Sequence, residues 1–279
     1  LYFCDGLQAI AIFLKSSSWQ MKIALVGTGN VAWHLANAFR QTAHQIVEVY
    51  GRDSQKANEL AGYLNAFHQE SLDFQESQAE IILLAVSDNA LPEIIRQIQL
   101  TSYQIVAHTS GSTPMAVFEN LQNQANFGVF YPLQTFSKTR KVAMREVPFC
   151  IEGNSTQTIT CLKALAEAIS PKVYLIGSDE RLKLHLAAVF ANNFVNHLLG
   201  ISQEILRNEN LPFELLKPLI QETFSKAIEA ENIFAIQTGP ARRNDQIIIQ
   251  KHLQLLESDK LKQKIYEIIS ESIRSKHKP

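Results

Sequence analysis

The chain is poor in cysteine, with Cys4, Cys150 and Cys161 as the only three in 279 residues. Their wide spacing and the absence of a C-x-x-C pair exclude a disulfide framework and a thiolate zinc site, and fit a reducing cytoplasm. A surplus of one charge is also missing: 26 basic against 27 acidic residues leave a net charge of −1. No basic stripe with interleaved aromatics occurs, so nucleic acid is not an expected partner. There is no H-E-x-x-H and no Cys/His cluster, the eight histidines are scattered, and no metal is expected. Internal repeats and low-complexity segments are absent. The apolar stretch at residues 7–14, broken by Gln8, is too short to span a bilayer. It also lacks the basic flank and small-residue cleavage site of a signal peptide, so no membrane partner is expected. Residues 1–20 read as an expression-tag remnant or misassigned start, with an arm packing on the body or on a partner as the alternative; the domain begins naturally at Met21.

What is present is an ordinary globular composition, 46% hydrophobic and 19% charged, long enough for one large or two modest domains. The apolar run Met21-Lys22-Ile23-Ala24-Leu25-Val26 breaks into Gly27-Thr28-Gly29-Asn30-Val31-Ala32 and continues with helical spacing. That is the strand–turn–helix order a dinucleotide-binding turn requires. Gly27 permits the tight turn, Gly29 lets the backbone approach a pyrophosphate, and Ala32 lets helix and strand pack. The helix N-terminus then offers free N–H groups to phosphate.

Further strands are expected at 45–50, 66–68, 80–86, 104–108, 127–131, 148–151 and 172–176, alternating with helices at 30–42, 55–64, 89–97 and 156–169. The near-continuous apolar run at 80–86 suits a strand covered on both faces. After Gly177 only helical patterns follow, at 178–208, 212–232 (bent or restarted at Pro218), 247–256 and 260–274. Ser178, Asp179 and Glu180 supply the start signals of the first. The fold class is therefore α/β: a doubly wound, mostly parallel Rossmann sheet over 21–177, followed by an all-α domain over 178–279.

The second strand ends Tyr50-Gly51-Arg52-Asp53-Ser54. The position nearest the expected ribose-binding acid is not acidic, and Arg52 with Ser54 suits a 2′-phosphate, favouring NADP(H) over NAD. The alternative makes Arg52 a solvated turn residue and gives the ribose to Asp53. Val86, Ser87 and Asp88, at the carboxyl end of the fourth strand, are candidates for the cofactor's ribose or nicotinamide side; Ser87, Asp88 or Asn89 would equally serve as a helix cap. His108, in His-Thr-Ser-Gly-Ser at the end of the fifth strand, either faces nicotinamide or substrate or is a satisfied core histidine.

In the long helix, spacing of about 100° per residue puts His185, Asn192 and Asn196 on one face, with Asn193 beside it. Amides on an apolar surface need hydrogen-bond partners, either substrate and cofactor or neighbouring helices. The turn Thr238-Gly239-Pro240-Ala241-Arg242-Arg243-Asn244-Asp245 offers two guanidinium groups to an anionic substrate, or is a plain charged connection.

Together GTGNVA at 27–32, HTSGS at 108–112, YPLQTFS at 131–137, LHLAAVFANNF at 184–194 and TGPARRND at 238–245 resemble a family of Rossmann-like oxidoreductases with a C-terminal domain of unknown function. These look like distant relatives of pyrroline-5-carboxylate reductase, ketopantoate reductase and 6-phosphogluconate dehydrogenase. The resemblance covers about 21–275 and implies a homodimer packed through the C-terminal helices. Carried over by position, it marks His185, Asn193, Arg243 and Asp245. Tyr131 stands where the family usually has His, and Asn244 where it usually has Gly. The Lys-x-x-x-Asn pair of the better-known relatives is not met, because Ala187 follows Lys183 at that spacing. His185 is then the leading acid/base, since an imidazole titrates near neutral pH. His108 is second, Asn193 supports them, and Arg243, Asp245 and Asn192 bind substrate. The expected activity is NADP(H)-dependent transfer of hydride to or from a small, anionic carbonyl, imine or hydroxy compound. Imine reduction of the pyrroline-carboxylate type is the runner-up chemistry; a non-catalytic NADP-binding sensor and a dimeric interaction protein are the rivals.

Overall fold

The computed structural model describes residues 20–121 and 126–277. Cys4 and all but the last of residues 1–20 lie outside them, and with them the readings made for that segment. Contacts divide the chain into two compact units, one ending at Asn192 and the other starting at Asn193. The division falls inside the long helix rather than at its start, where the change to all-helical sequence had placed it.

The first unit is built on one eight-stranded sheet: β1 Lys22–Val26, β2 Gln45–Tyr50, β3 Phe67–Gln69, β4 Ile81–Leu84, β5 Ile105–His108, β6 Asn126–Pro132, β7 Phe149–Gly153 and β8 Val173–Leu175. Its order is β3-β2-β1-β4-β5-β6-β7-β8. Pairing is parallel except for β6 with β7, where the chain returns through a loop instead of a helical crossover and so reverses. The helices are α1 Asn30–Phe39, α2 Ser54–Leu64, α3 Leu91–Gln97 and α4 Thr156–Glu167; the β5–β6 connection is a 3-10 segment, Met115–Leu121. Every residue of β4 and β5 is buried, as their apolar runs require when both faces are covered. Leu25, Leu35, Phe39, Leu83, Phe130 and Leu162 fill one face; Val26, Phe74, Ile82, Leu91 and Val106 fill the other. The order reverses between β1 and β4, and a sheet of this kind takes ligands at the carboxyl ends of the strands flanking that point.

Beyond β8 the helical stretch Ser178–Asn208 consists of α5 Ser178–Ala188, a π-helical segment Val189–Phe194 and α6 Val195–Asn208. The second unit continues with a 3-10 turn Phe213–Leu216, α7 Lys217–Glu229, a 3-10 turn Ile233–Ile236, α8 Gln246–Leu255 and α9 Lys260–Lys276. Pro218 sits in the first turn of α7, so it starts that helix where a bend had been the alternative. Lys262 bridges to Glu204 at 2.8 Å, and His252 Nδ1 meets the Tyr266 hydroxyl at 2.8 Å. Among the described residues of this unit only Ala241, Ile249 and Ser270 are buried.

Candidate functional site

β1 runs straight into Gly27, whose φ is +119° and whose hypothetical Cβ would collide with the Ala85 carbonyl oxygen. Both facts restrict this position to glycine. Its N–H donates to the Tyr50 carbonyl at 2.8 Å, tying the turn to the end of β2. The Thr28 methyl lies over Gly51, where a Cβ would sit 2.9 Å from it. Gly29 has open space where a side chain would be. It caps α1 without a side-chain hydrogen bond, so the first-turn amides are left for a ligand. The Asn30 side-chain amide donates to the Phe136 carbonyl at 3.0 Å, which fixes the loop after β6 over this turn. Val31 is half-buried against the core. The arrangement leaves a helix N-terminus with free N–H groups beside an open glycine, the features that suit a pyrophosphate.

At the end of β2 the two carboxylate oxygens of Asp53 are both engaged. One caps α2 by accepting from Lys56 N–H at 3.1 Å, and the other pairs with Lys56 Nζ at 2.7 Å. The Lys56 interactions hold this carboxyl below its usual range. Arg52 and Ser54 are exposed. Across the switch point, Ser87 starts a 3-10 turn without using its side chain as a cap. Asp88 accepts a short hydrogen bond from Ser112 Oγ. Val86 is half-buried, whereas Ser87 and Asp88 are exposed at the edge.

His108 is not at that edge. It is 0% exposed, its ring stacks on Phe118 at 5.5 Å, and Nδ1 accepts from Ser110 N–H at 3.2 Å. Burial, helped by the Arg181 charge, pushes its pKa down to about 3. The expected facing of nicotinamide or substrate is therefore corrected: the side chain is a neutral core histidine, out of reach of either.

The histidine that reaches the edge is His185, half-buried on α5. Its Nδ1 lies 3.1 Å from the hydroxyl of Tyr131, near the carboxyl end of β6, with the two rings edge-on at 6.0 Å. Both pack on Gly111. A Cβ there would stand 2.5 Å from His185 Nδ1 and 2.6 Å from Tyr131 Cζ. Burial pushes the Tyr131 phenol up to about 12.

One turn earlier, Arg181 is fully buried. Its guanidinium pairs with Glu152 of β7 and donates to the Thr113 carbonyl at 2.6 Å. Ser178 Oγ donates to Glu152 at 2.8 Å and accepts from Met115 N–H at 2.9 Å. Ser178 thus fastens α5 to the sheet, whereas its sequence signal suggested a cap; Gly177 occupies that place. Gly111, Arg181 and Glu152 went unrecognised as site builders. Arg181 sits among Asp179, Glu180 and Lys183, so nothing local marks it as the buried one.

Asn192 ends the first unit and Asn193 begins the second; both lie in the π-helical segment and are exposed. A π turn inserts an extra residue into the helical register. The uniform 100° step that put His185, Asn192 and Asn196 on one face therefore does not hold across Val189–Phe194. In the turn before α8, Gly239 has φ +102° and Asn244 φ +55°. Asn244 thus keeps the left-handed conformation that a glycine would adopt there. Asp245 caps α8, its Oδ1 accepting from Ile248 N–H at 3.2 Å. Arg243 is exposed in the same turn.

Residues 15–131 match a Rossmann-like domain, and residues 147–273 match DUF2520, a domain of unknown function. A crystal structure from Bacteroides fragilis, assigned as an NADP oxidoreductase, is 40% identical, with a TM-score of 0.84; the match covers 92% of this chain and 98% of that one. The chain belongs to this DUF2520 family of Rossmann-like proteins. The same fold recurs in pyrroline-5-carboxylate reductase from Streptococcus pyogenes, at 13% identity and TM-score 0.61 over 92% of this chain and 99% of that one. It recurs again in a reductive aminase from Aspergillus terreus in complex with NADPH, at 13% identity and TM-score 0.70 over 92% and 95%. No curated protein matches the sequence. In this DUF2520 protein both the glycine turn and the Tyr131–His185 pair belong to the first compact unit.

Proposed function

We propose that the protein is an NADP(H)-dependent oxidoreductase acting on a small carbonyl, imine or hydroxy compound. The observation that carries this is the glycine turn itself. Gly27 is locked into a conformation no other residue adopts without strain, and Gly29 leaves space before an uncapped helix N-terminus. The residues present fit the dinucleotide: Gly27, Thr28, Gly29, Asn30 and Val31 at the pyrophosphate, Arg52 and Ser54 at the 2′-phosphate, and Val86, Ser87 and Asp88 along the ribose and nicotinamide. Asp53 is committed to its cap and Lys56, while among the described residues no hydrogen bond or ion pair holds Arg52, so phosphate is favoured over a bare ribose there. When bound, the nicotinamide supplies a hydride. His185 serves the reacting oxygen or nitrogen as acid/base. The 40% identical relative assigned as an NADP oxidoreductase supports the reading. The pyrroline-carboxylate and aminase likenesses keep imine reduction as the second chemistry.

The test is calorimetric titration with NADPH and NADH. NADPH is expected to bind at least tenfold tighter, a difference of about 1.4 kcal/mol, and Arg52→Ala to erase that preference. Saturable binding of neither cofactor would overturn the proposal in favour of an interaction protein. NADPH binding without turnover of any carbonyl, imine or hydroxy acid, unchanged by His185→Gln, would favour a sensor.

The partner proposed is a second copy of this chain. The second unit has almost no core of its own, while Leu215, Leu219, Ile228, Ile247, Leu255 and Leu261 are all exposed. The helical stretch Ser178–Asn208 is long enough to cross a membrane and holds an 18-residue window of mean hydropathy 1.2. It also carries His185, Asn192, Asn193, Asn196 and His197, groups that are costly in lipid but readily accommodated between helices.

A further inference from the structure

We propose that Tyr131 is a positioning residue which holds Nδ1 of His185 by a hydrogen bond, so that Nε2–H is the group His185 offers to substrate, and that Gly111 is the seat this pair requires. The inference rests on the oxidoreductase reading above and adds to it the working nitrogen and the residue that selects it.

The argument starts from the two partners of one bond. Among the described residues the Tyr131 hydroxyl has a single hydrogen-bonding neighbour, His185 Nδ1 at 3.1 Å. A phenol carries one proton, and a neutral imidazole carries one acceptor nitrogen. Tyr131 is 9% exposed, and Cys150, Arg181 and Asp88 are the titratable or charged groups that act on it. Burial outweighs the opposing Arg181 charge and keeps the phenol protonated. No other acceptor for the phenol proton stands among the described residues, so the phenol donates, Nδ1 accepts, and the imidazole proton stands on Nε2. The nitrogen held by the partner fixes the tautomer at the other.

Ring orientation is fixed independently. Arg181, one turn before His185 on α5, is locked to Glu152 and to the Thr113 carbonyl. This sets the rotation of the helix about its axis. The Gly111 backbone then forms the floor under both rings, so close that a methyl group would stand 2.5 Å from Nδ1 and 2.8 Å from the phenol oxygen. Three segments, ending β5, ending β6 and opening α5, thus converge on one hydrogen bond. Its outcome is a donor at Nε2 of the half-buried His185. A neutral Nε2–H suits hydrogen bonding to a carbonyl oxygen that gains negative charge as hydride arrives at carbon.

The experiment is 15N NMR of selectively histidine-labelled full-length protein without cofactor, at a pH where His185 is neutral, with the His185→Gln variant assigning the signals. The wild type is expected to show the His185 proton on Nε2. Tyr131→Phe, which keeps the ring and removes only the hydroxyl, is expected to give a mixture of both tautomers, and Gly111→Ala the same. A wild-type proton on Nδ1, or an unchanged tautomer in Tyr131→Phe, would overturn the proposal. On a substrate found with NADPH, Tyr131→Phe is expected to lower kcat about tenfold, the size of one lost hydrogen bond, with NADPH affinity unchanged. An unchanged kcat would also overturn it. The tautomer is read without turnover, so failure of the enzyme reading and failure of the tautomer assignment give different results.

Discussion

At the scale of single residues, the chain separates two histidines that look equally chemical in sequence. His108 precedes a polar, turn-forming segment, and His185 lies within a long helical pattern. The structure gives one to the core and the other to an edge, and the difference is measurable through pH. His108 titrates at about 3 in the folded chain because it is buried, with Arg181 lowering its pKa further and Asp88 opposing weakly. Unfolded, it titrates near 6.5. Between those values the unfolded chain binds a proton that the folded chain does not, so stability is full above pH 6.5 and falls as the pH drops toward 3. On going from pH 7 to pH 5, His108 alone is expected to cost about 2 kcal/mol. Urea unfolding at both pH values checks this. His108→Asn, whose side-chain carbonyl can still accept from Ser110 N–H, is expected to be less stable at pH 7 yet to lose about 2 kcal/mol less on acidification. An identical loss in both proteins would place the histidine's proton elsewhere.

At the scale of elements, most of the sheet was legible. β2 begins and ends where its pattern placed it, and β4 and β5 fall within their predicted apolar runs. The turn chemistry of Gly27 and Gly29 is local and so was readable. Three things were not, each for a physical reason. Reversal of β7 depends on pairing with β6 across a loop, and no local spacing encodes direction. The π segment at Val189–Phe194 breaks a periodicity that sequence reasoning takes as uniform. The anchor of α5 joins Arg181 to Glu152 and Thr113, 29 and 68 residues away, and such partners are visible only in three dimensions. The anchor predicts its own energetics. Arg181 is fully buried and Glu152 mostly so, so removing either partner leaves a charge without its counterion. Arg181→Met and Glu152→Gln are each expected to destabilise by about 3 kcal/mol. The double variant should cost clearly less than their sum, because the unpaired charge is then gone. Additive losses in a denaturant-unfolding cycle would show that the two side chains act separately. His185 lies one turn beyond Arg181, so both single variants should also disturb the tautomer signal described above.

At the scale of the whole molecule, the two units differ in how they satisfy their apolar residues. The sheet unit fills both faces with its own side chains. The second unit buries only Ala241, Ile249 and Ser270 among its described residues, yet leaves Leu219 62% and Leu255 80% exposed. Amphipathic helices gain most of their stability by burying an apolar face, and a second copy of the chain is the partner proposed to cover these. Single substitutions discriminate sharply. In a monomer, Leu219→Asp changes an exposed side chain and should alter stability by less than about 0.5 kcal/mol. At a subunit interface the same change buries a carboxylate among apolar side chains, and association should weaken by several kcal/mol. Sedimentation equilibrium is expected to give a dimer for the wild type and monomer for Leu219→Asp. The thermal midpoint of the wild type should also rise with protein concentration, because folding and association are then one equilibrium. A monodisperse wild-type monomer with a concentration-independent midpoint would refute the second copy.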